Sequence, residues 1–385
     1  MAVSAAPAVR DTQPKEGKQQ QQQPKVENDA QAAPDKQGPE GNERIVNNQP
    51  VVGGQPAGSG QFPFAVFIQI SLGETRSAVC AGSILSREWI VTAGHCLVSS
   101  PKDVTASNPI SPKNVVVYVG SSNVYAAKPY KAKQVVVNPQ LDIVENNYDI
   151  GLIKLGTKLK FGSDVQPIAI YDGQIGSGVP VKALGWGQTS NVIAGASQNL
   201  MQVTLTTGSY AQCRAIRAPF TSHNGDVICV PTPDGRDSCY GDSGGPLVVS
   251  QDTFVRTNKR QIVEDNDRSS TDSRWLLAGV TSYGDTLSGR PHPPCGSRDG
   301  AGFYTHVAYY IDFITKATGL KKEDITSSGR ESSAANKMMV AASEKIVRKV
   351  ETSGARSLIE RRGAWASLPM VAYVSAISLL IFLYN

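Results

Sequence analysis

The motif Gly-Asp-Ser-Gly-Gly-Pro at residues 241–246 places one serine in a glycine-rich bend. Gly241 and Gly244 have no Cβ, so the backbone can turn sharply and lie close to a substrate. The backbone N–H groups of Gly241 and Ser243 can then converge on the oxyanion that forms when a serine attacks a carbonyl. The complete motif, unlike an isolated Gly-x-Ser, therefore predicts that Ser243 is a nucleophile.

A serine hydroxyl is a weak nucleophile at neutral pH, and it needs a base that is held in place by an acid. The chain has four histidines, and His95 follows an apolar, strand-like run and precedes Cys96. Asp149 comes directly before another apolar run, which places it at the edge of a core. We therefore expect Ser243, His95 and Asp149 to form a catalytic triad.

Further motifs accompany these residues, and together they resemble the trypsin-like serine proteases of the chymotrypsin family. From residue 51 to about residue 317 they include Val-Val-Gly-Gly at 51–54, Thr-Ala-Gly-His-Cys at 92–96, Asp-Ile-Gly-Leu at 149–152, Gly-Trp-Gly at 185–187 and Thr-Ser-Tyr-Gly at 281–284. The resemblance implies an all-β fold of two six-stranded antiparallel β-barrels, with the active site between them and a short C-terminal helix at 307–317. It also implies that His95 is the general base, Asp149 orients it, and Gly241 and Ser243 form the oxyanion hole.

The sequence departs from the family pattern at three positions. Gly94 stands where alanine is commoner, and Ala81 stands where glycine is commoner. Both residues are small, so we expect the local geometry to be kept. Tyr283 replaces the usual tryptophan beside the substrate backbone.

Asp237 lies six residues before Ser243, where the family has the floor of its specificity pocket. Gly284 and Gly302 match the two small positions of the pocket wall. A buried carboxylate without a partner is costly, so this pocket favours a substrate cation and predicts cleavage after Arg or Lys. Two alternatives stay open: Asp237 is an exposed loop residue, or the adjacent Arg236 neutralises it.

The six cysteines permit three disulfides in fifteen connectivities. The resemblance selects Cys80–Cys96, Cys213–Cys229 and Cys239–Cys295. A fourth bridge of the family is missing, and Val181 and Val249 occupy its two positions. Because the chain has no Cys-x-x-Cys pair, we expect no metal site, and the triad chemistry needs no cofactor.

The net charge of +5 is unevenly distributed: residues 1–50 carry −1, residues 51–316 carry +2 and residues 317–385 carry +4. The catalytic region is nearly neutral, which argues against a nucleic acid as partner. The expected partners are polypeptide substrates with Arg or Lys before the scissile bond, and protein inhibitors of proteases.

Composition divides the chain into four segments. Residues 1–44 are rich in Gln and Pro and predict a disordered, low-complexity pro-segment. Residues 45–320 form the peptidase domain, residues 321–363 a polar stalk and residues 364–385 a hydrophobic end.

The hydrophobic end is long enough to cross a bilayer. Small residues at 353–355 and a polar spacer before it favour a glycolipid-anchor signal, with a retained membrane helix or an unprocessed tail as alternatives. Residues 1–8 are too short for the apolar part of a signal peptide. The disulfides nevertheless indicate an extracellular enzyme that is secreted or anchored at the cell surface.

In this family a cut creates a new N-terminus whose ammonium group pairs with the aspartate beside the nucleophile, here Asp242. Arg44-Ile45 is a suitable trypsin-type cleavage site, whereas Val51 has the family spacing but follows Pro50. We expect cleavage after Arg44, so that Ile45 or a trimmed Val51 reaches Asp242. The alternative is a solvated linker whose cleavage has no effect.

Two other classes of protein compete with this interpretation. An α/β-hydrolase esterase also carries Gly-x-Ser-x-Gly and would have to use Asp285 and His306, but the strand and helix alternation of that fold is missing. A binding protein built on an inactive protease fold is the second alternative. Residues 251–274 and 285–294 are insertions whose role stays open.

Overall fold

The computed structural model describes residues 53–73, 76–99, 108–188, 196–251, 275–289, 293–333 and 345. These residues form two sheets and a few short helices, and all of them belong to one compact unit. The predicted pro-segment, the predicted hydrophobic end and most of the 251–274 insertion lie outside the described residues.

The first sheet is a closed barrel of six antiparallel strands. They are β2 (Ala65–Ser71), β3 (Ser77–Ile84), β4 (Trp89–Thr92), β5 (Val115–Val119), β6 (Lys128–Val137) and β7 (Gly151–Leu155), arranged in the order β2-β3-β4-β7-β6-β5. In β5 the buried Val115, Val117 and Val119 alternate with the half-buried Val116 and Tyr118. This two-residue period directs alternate side chains into the barrel and closes the core.

The second sheet has eight strands. They are β1 (Gln55–Pro56), β8 (Ala169–Ile170), β9 (Pro180–Gly185), β10 (Met201–Thr206), β11 (Val227–Pro231), β12 (Pro246–Ser250), β13 (Trp275–Thr286) and β14 (Gly300–His306). Their order is β1-β10-β9-β12-β13-β14-β11, and β8 pairs in parallel with β13.

The six longer strands of this sheet, β9 to β14, correspond to the predicted second barrel. Gly208 N–H donates to the Cys229 carbonyl at 3.1 Å, which joins the chain just after β10 to β11. The prediction of an all-β, double-barrel fold is therefore confirmed, with two short strands added to the second sheet. The same architecture makes the α/β-hydrolase alternative wrong, since that fold needs a mainly parallel sheet.

Helices are short and lie at the margins of the sheets. They are α1 (Tyr210–Ile216), α2 (Ile311–Thr318) and α3 (Lys322–Ile325), and a 3₁₀ turn at Val307–Tyr310 leads into α2. Ser209 and Gln212 form a capping box at the start of α1, and Gly319 ends α2 with a left-handed φ of 72°. The turn and α2 together form the predicted closing helix. Within the described part of the chain, every helix is too short or too polar to traverse a bilayer.

Three disulfides join Cys80 to Cys96, Cys213 to Cys229 and Cys239 to Cys295, which are the pairs that the resemblance implied. Val181 and Val249, at the positions of the missing bridge, are both buried in one apolar cluster of the second sheet. Side-chain packing thus occupies the place of a covalent link there.

The chain after α2 continues to pack against the second sheet. Ile325 is only 1% exposed, and Thr326 forms a parallel bridge with Ile170 of β8. The Asp172 carboxylate accepts hydrogen bonds from Ser327 Oγ at 2.6 Å and from the backbone N–H of Ser328 at 3.1 Å. These residues belong to the segment that composition assigned to the stalk, and here they cover β8.

Candidate active site

His95 and Asp149 meet because the strands beside them are neighbours. His95 begins a 3₁₀ turn just after β4, Asp149 lies just before β7, and Thr92 of β4 pairs with Gly151 of β7. His95 Nδ1 lies 2.8 Å from Asp149 Oδ2, and the backbone N–H of His95 donates to Asp149 Oδ1 at 2.8 Å. The carboxylate thereby holds the ring by two contacts, and Nε2 is the nitrogen left for chemistry.

The second sheet provides further hydrogen bonds to Asp149, which is 2% exposed. Ser282 Oγ of β13 donates to Asp149 Oδ2 at 2.5 Å, and Thr305 Oγ1 of β14 donates to the Asp149 carbonyl at 2.7 Å. The carboxylate therefore accepts from the His95 ring, the His95 backbone and a serine. Hydrogen bonds of this kind allow a buried carboxylate to stay ionised inside a protein.

These contacts set the protonation of the pair. Burial disfavours the charged imidazolium, but the Asp149 charge and hydrogen bond outweigh it, and the pKa of His95 is raised. Burial likewise opposes ionisation of Asp149, but His95 and the hydrogen bonds of Ser282 and the backbone hold the pKa of Asp149 below its ordinary value. The arrangement suits a base that becomes positive during the reaction beside an acid that stays negative.

The serine loop is shaped by its glycines. Gly241 and Gly244 adopt positive φ values of 97° and 78°, which L side chains rarely adopt. A Cβ at Gly244 would also collide with Thr92 Oγ1. The backbone N–H of Ala81 on β3 donates to the Ser243 carbonyl at 2.7 Å, so the first barrel supports the loop directly.

Neither Gly241 nor Ser243 uses its backbone N–H for a hydrogen bond within the described residues. Two free donors in a structured loop are available to a substrate oxygen. Across the described part of the chain, no hydrogen bond joins Ser243 to His95, whose Nε2 lies 3.8 Å from Cys96 Sγ. The structure thus brings His95 and Asp149 together and leaves the serine hydroxyl without its expected hydrogen bond.

Cys80, His95 and Cys96 are the described side chains that group most like metal ligands. The two sulfurs are joined in a disulfide, so neither is present as the thiolate that a metal binds.

Asp237 is a buried acid. It is 8% exposed, and the backbone N–H of Gly296 donates to its Oδ2 at 3.2 Å. Gly302 pairs with Gly284 across β14 and β13, and a Cβ at Gly302 would lie 3.0 Å from Asp237 Oδ1. Burial, with a contribution from the Asp242 charge, raises the pKa of Asp237 to about 7.

Arg236 turns away from Asp237. Its Nε donates to Asp234 Oδ2 at 2.7 Å and its guanidinium forms an ion pair with the same carboxylate. Among the ion pairs of the described residues, none includes Asp237. The neighbouring arginine therefore does not neutralise Asp237, and the burial of Asp237 excludes the exposed-loop alternative.

Asp242 is a second buried acid, fully shielded from solvent. Its oxygens accept 2.7 Å hydrogen bonds from the backbone N–H groups of Gly187 and Cys239. A Cβ at Gly187 would lie 2.6 Å from the carboxylate carbon, so glycine is required for this approach. Burial raises the pKa of Asp242 to about 6. The predicted activation residues Arg44, Ile45 and Val51 lie outside the described part of the chain.

Motif analysis missed several side chains that the fold brings to the site. Ser282 and Thr305 bind Asp149, and the buried Tyr304 donates to Ser238 Oγ at 3.1 Å next to Asp237. The residues next to a serine or threonine within a strand do not indicate that its hydroxyl will bind a distant aspartate. Ser282 lay within a recognised family segment, which was the one hint available.

Arg217 was missed as well. One of its terminal nitrogens donates to Asn147 Oδ1 at 2.7 Å, and the other lies 3.5 Å from Asp226 Oδ2. Its guanidinium also lies over the stacked rings of Tyr283 and Phe303. Because Asn147 precedes Asp149 by two residues, Arg217 connects the loop of the acid to β13 and β14.

Comparison with known proteins agrees with this geometry. The Trypsin family model matches residues 51–314. The chain is 27% identical over 281 residues to mannan-binding lectin serine protease 1 of Homo sapiens, covering 70% of this chain and 36% of that protein. It is 32% identical to ovochymase of Halocynthia roretzi, covering 69% of this chain and 15% of that protein. It is 27% identical to CLIP domain-containing serine protease B4 of Anopheles gambiae, covering 69% of each.

A double-barrel fold in which a buried aspartate holds a histidine, together with a glycine-rich serine loop, defines the chymotrypsin-like class of serine protease folds. The family match spans well over half of the chain, so the protein belongs to the trypsin family. The matched part of this chain covers 36% of the mannan-binding lectin serine protease 1 sequence and 15% of the ovochymase sequence. The chain therefore spans only about a third or less of the length of these two relatives.

Replacing Ser282 with alanine should raise the pKa of His95 further. The substitution removes a donor from Asp149, so the carboxylate charge acts more strongly on the imidazolium. An NMR titration of the four histidines measures this directly. Ser83→Ala is the matched control, because Ser83 is equally buried and its Oγ has no hydrogen-bond partner. An unchanged His95 titration in Ser282→Ala would show that the serine does not tune the pair.

Proposed function

We propose that the protein is a serine endopeptidase that works through an acyl-enzyme intermediate. The observation that carries the proposal is the half-buried His95 held by the buried Asp149, together with a serine loop that has two N–H donors without a partner among the described residues. Ser243 Oγ attacks the peptide carbonyl while His95 Nε2 takes up the hydroxyl proton. The N–H groups of Gly241 and Ser243 hold the resulting oxyanion.

The second half of the reaction reverses these proton transfers. His95 donates its proton to the leaving amine, the peptide C–N bond breaks, and the acyl group stays on Ser243. Water then loses a proton to His95 and attacks the ester, which releases the acid and restores the hydroxyl. Catalytic hydrogen bonds often tighten only when substrate binds, so we expect the Ser243–His95 hydrogen bond to form in the substrate complex.

Ser243→Ala and His95→Ala should each lower turnover of peptide substrates by several orders of magnitude, because the triad acts as a unit. Asp149→Asn should also cause a large loss, since His95 would take the wrong tautomer. Turnover of a peptide amide by the processed protein, together with labelling by an irreversible serine-directed phosphonate, measures both effects. A processed protein in which Ser243 is not labelled would instead be a binding protein on an inactive protease fold.

We further propose that the substrate residue before the scissile bond is Arg or Lys. A cationic side chain that reached Asp237 would meet a carboxylate without an ion-pair partner among the described residues. Gly302, which pairs with Gly284, places no side chain beside this carboxylate, since a Cβ there would lie 3.0 Å from Asp237 Oδ1. Pairing would compensate the desolvation that now raises the pKa of this acid.

The pH dependence tests this assignment. Because the pKa of Asp237 is about 7 in the free enzyme, acidification through pH 7 protonates it and should raise KM for arginine substrates. Asp237→Ser should sharply reduce cleavage after Arg and Lys, retain some cleavage after neutral residues and lose this pH dependence of KM. An Asp237→Ser enzyme that remains equally selective for arginine would place the specificity elsewhere.

Asp242 supports the proposal that the enzyme is made as a zymogen. It is a buried acid whose pKa is raised to about 6 and which has no ion-pair partner among the described residues. A new N-terminal ammonium group at this carboxylate would order the adjacent Gly241–Ser243 loop. A buried pair of this kind acts as a switch more than as a source of stability.

We propose cleavage after Arg44, so that Ile45 or a trimmed Val51 becomes the terminus. Arg44→Gln should then leave the protein inactive after treatment with a trypsin-type activator, whereas the natural protein gains activity. N-terminal sequencing of the active form identifies the residue that reaches Asp242. Full activity of Arg44→Gln with Val51 at its terminus would show that another cut activates the enzyme.

The three disulfides support an extracellular location, because such bonds persist in oxidising compartments. There the enzyme would meet polypeptide substrates and protein inhibitors of proteases. We propose attachment to the cell surface through residues 364–385, as a glycolipid-anchor signal or a retained membrane helix.

A further inference from the structure

The outer surface of the first barrel concentrates lysines. Residues 104–141 contain four lysines and no Asp or Glu, although residues 51–316 as a whole carry a net charge of only +2. Six lysines of strands β5 to β7 and their adjoining turns form what we call the lysine face: Lys113, Lys128, Lys131, Lys133, Lys154 and Lys158. All are exposed except Lys154, which is half-buried.

Strand register brings the central members of the lysine face together. Lys131 pairs with Val116 of β5, whose side chain points out of the barrel. The register shifts between Ala132 and Gln134, so Lys133 lies in a bulge next to β7, where Lys154 pairs with Gln134. The backbone N–H of Gly156 donates to the Lys131 carbonyl, which places the turn that carries Lys158 alongside. Neighbouring strands are about 4.8 Å apart, so these ammonium groups crowd one surface.

No lysine takes part in an ion pair among the described residues. Lys128 lies over the Tyr130 ring and Lys154 over the Trp89 ring, which leaves both charges uncompensated. Glu88 accepts a backbone hydrogen bond from Leu155 N–H beside this surface, but its carboxylate forms no ion pair. Like charges held together in this way repel one another and attract a polyanion.

The chemistry of the lysine face favours one kind of partner. Its strands belong to a closed barrel, so they offer no free edge for strand addition. None of the large apolar side chains exposed in the described residues lies on the strands β5, β6 or β7 themselves, and one, Tyr125, lies in the turn before β6. A single exposed aromatic side chain is a small apolar anchor beside six lysines, so a partner would be held mainly by charge, as a flexible polyanion is. Since the disulfides indicate an extracellular protein, we propose that the lysine face binds a sulfated polysaccharide.

Heparin is the probe for this proposal, with the full chain carrying Lys128→Gln, Lys131→Gln and Lys133→Gln. We expect these three substitutions to weaken heparin binding at least about tenfold and to reduce the slope of log affinity against log salt, as loss of counterion release requires. The matched control is Lys316→Gln, Lys321→Gln and Lys322→Gln, which removes the same charge from exposed positions outside the face. The control should bind heparin as the natural protein does.

Any one of three results would overturn the proposal. The first is that the natural protein fails to bind heparin at physiological salt, and the second is that both triple variants lose the same affinity for heparin. The third is that poly-glutamate competes for the lysine face as well as heparin does. The last result would identify an acidic polypeptide as the partner. Unchanged thermal unfolding of the variants verifies that they are folded, and this test does not depend on proteolytic activity.

Discussion

The buried carboxylate of Asp149 is the interaction on which the site depends. It belongs to the first barrel, yet Ser282 of the second sheet donates to it at 2.5 Å, and Thr305 of the same sheet donates to the Asp149 backbone carbonyl at 2.7 Å. Loss of the Ser282 hydrogen bond would leave the buried charge less well compensated, so these contacts favour one arrangement of the two sheets. Asp149 also orients the His95 ring, so the same carboxylate links the packing of the two sheets to the position of the expected general base.

Two other acids contrast with Asp149. Asp237 and Asp242 are also buried, but neither forms an ion pair with another described residue, so burial raises both pKa values. Desolvated carboxylates of this kind reduce stability until a positive charge arrives. Each of these two carboxylates is therefore a position where a cation would be bound favourably.

Sequence predicted the parts of this protein that are short and contiguous. The serine motif and the histidine next to Cys96 could be recognised from short stretches of sequence, whereas the three disulfide pairs and the two-barrel class followed from the family resemblance. Ser282, Thr305 and Tyr304 could not be recognised, because their roles arise from strand register between β13 and β14 and from distant loops. Arg217 is a similar case, since its contacts with Asn147 and Tyr283 join segments 66 or more residues apart.

Sequence also left questions that only side-chain geometry could answer. Arg236 is next to Asp237 in the sequence, but neighbouring positions alone do not show whether two side chains form an ion pair. In the structure, Arg236 pairs with Asp234 instead. The eight-stranded second sheet contains two strands of two residues each, which are too short to produce a recognisable alternation. The polar composition after residue 320 likewise concealed Ile325, a single apolar residue that is fully packed.

The packing of that C-terminal segment has a practical consequence for anyone who produces the enzyme. The family match ends at residue 314, and a recombinant form trimmed to that limit, or to residue 320, would remove Ile325 and the bridge partner of Ile170. It would also strip Asp172 of both serine donors and expose apolar surface beside β8. Expression boundaries are therefore better placed after Gly329, whose backbone N–H still bonds to Thr326, than at the end of the recognisable domain.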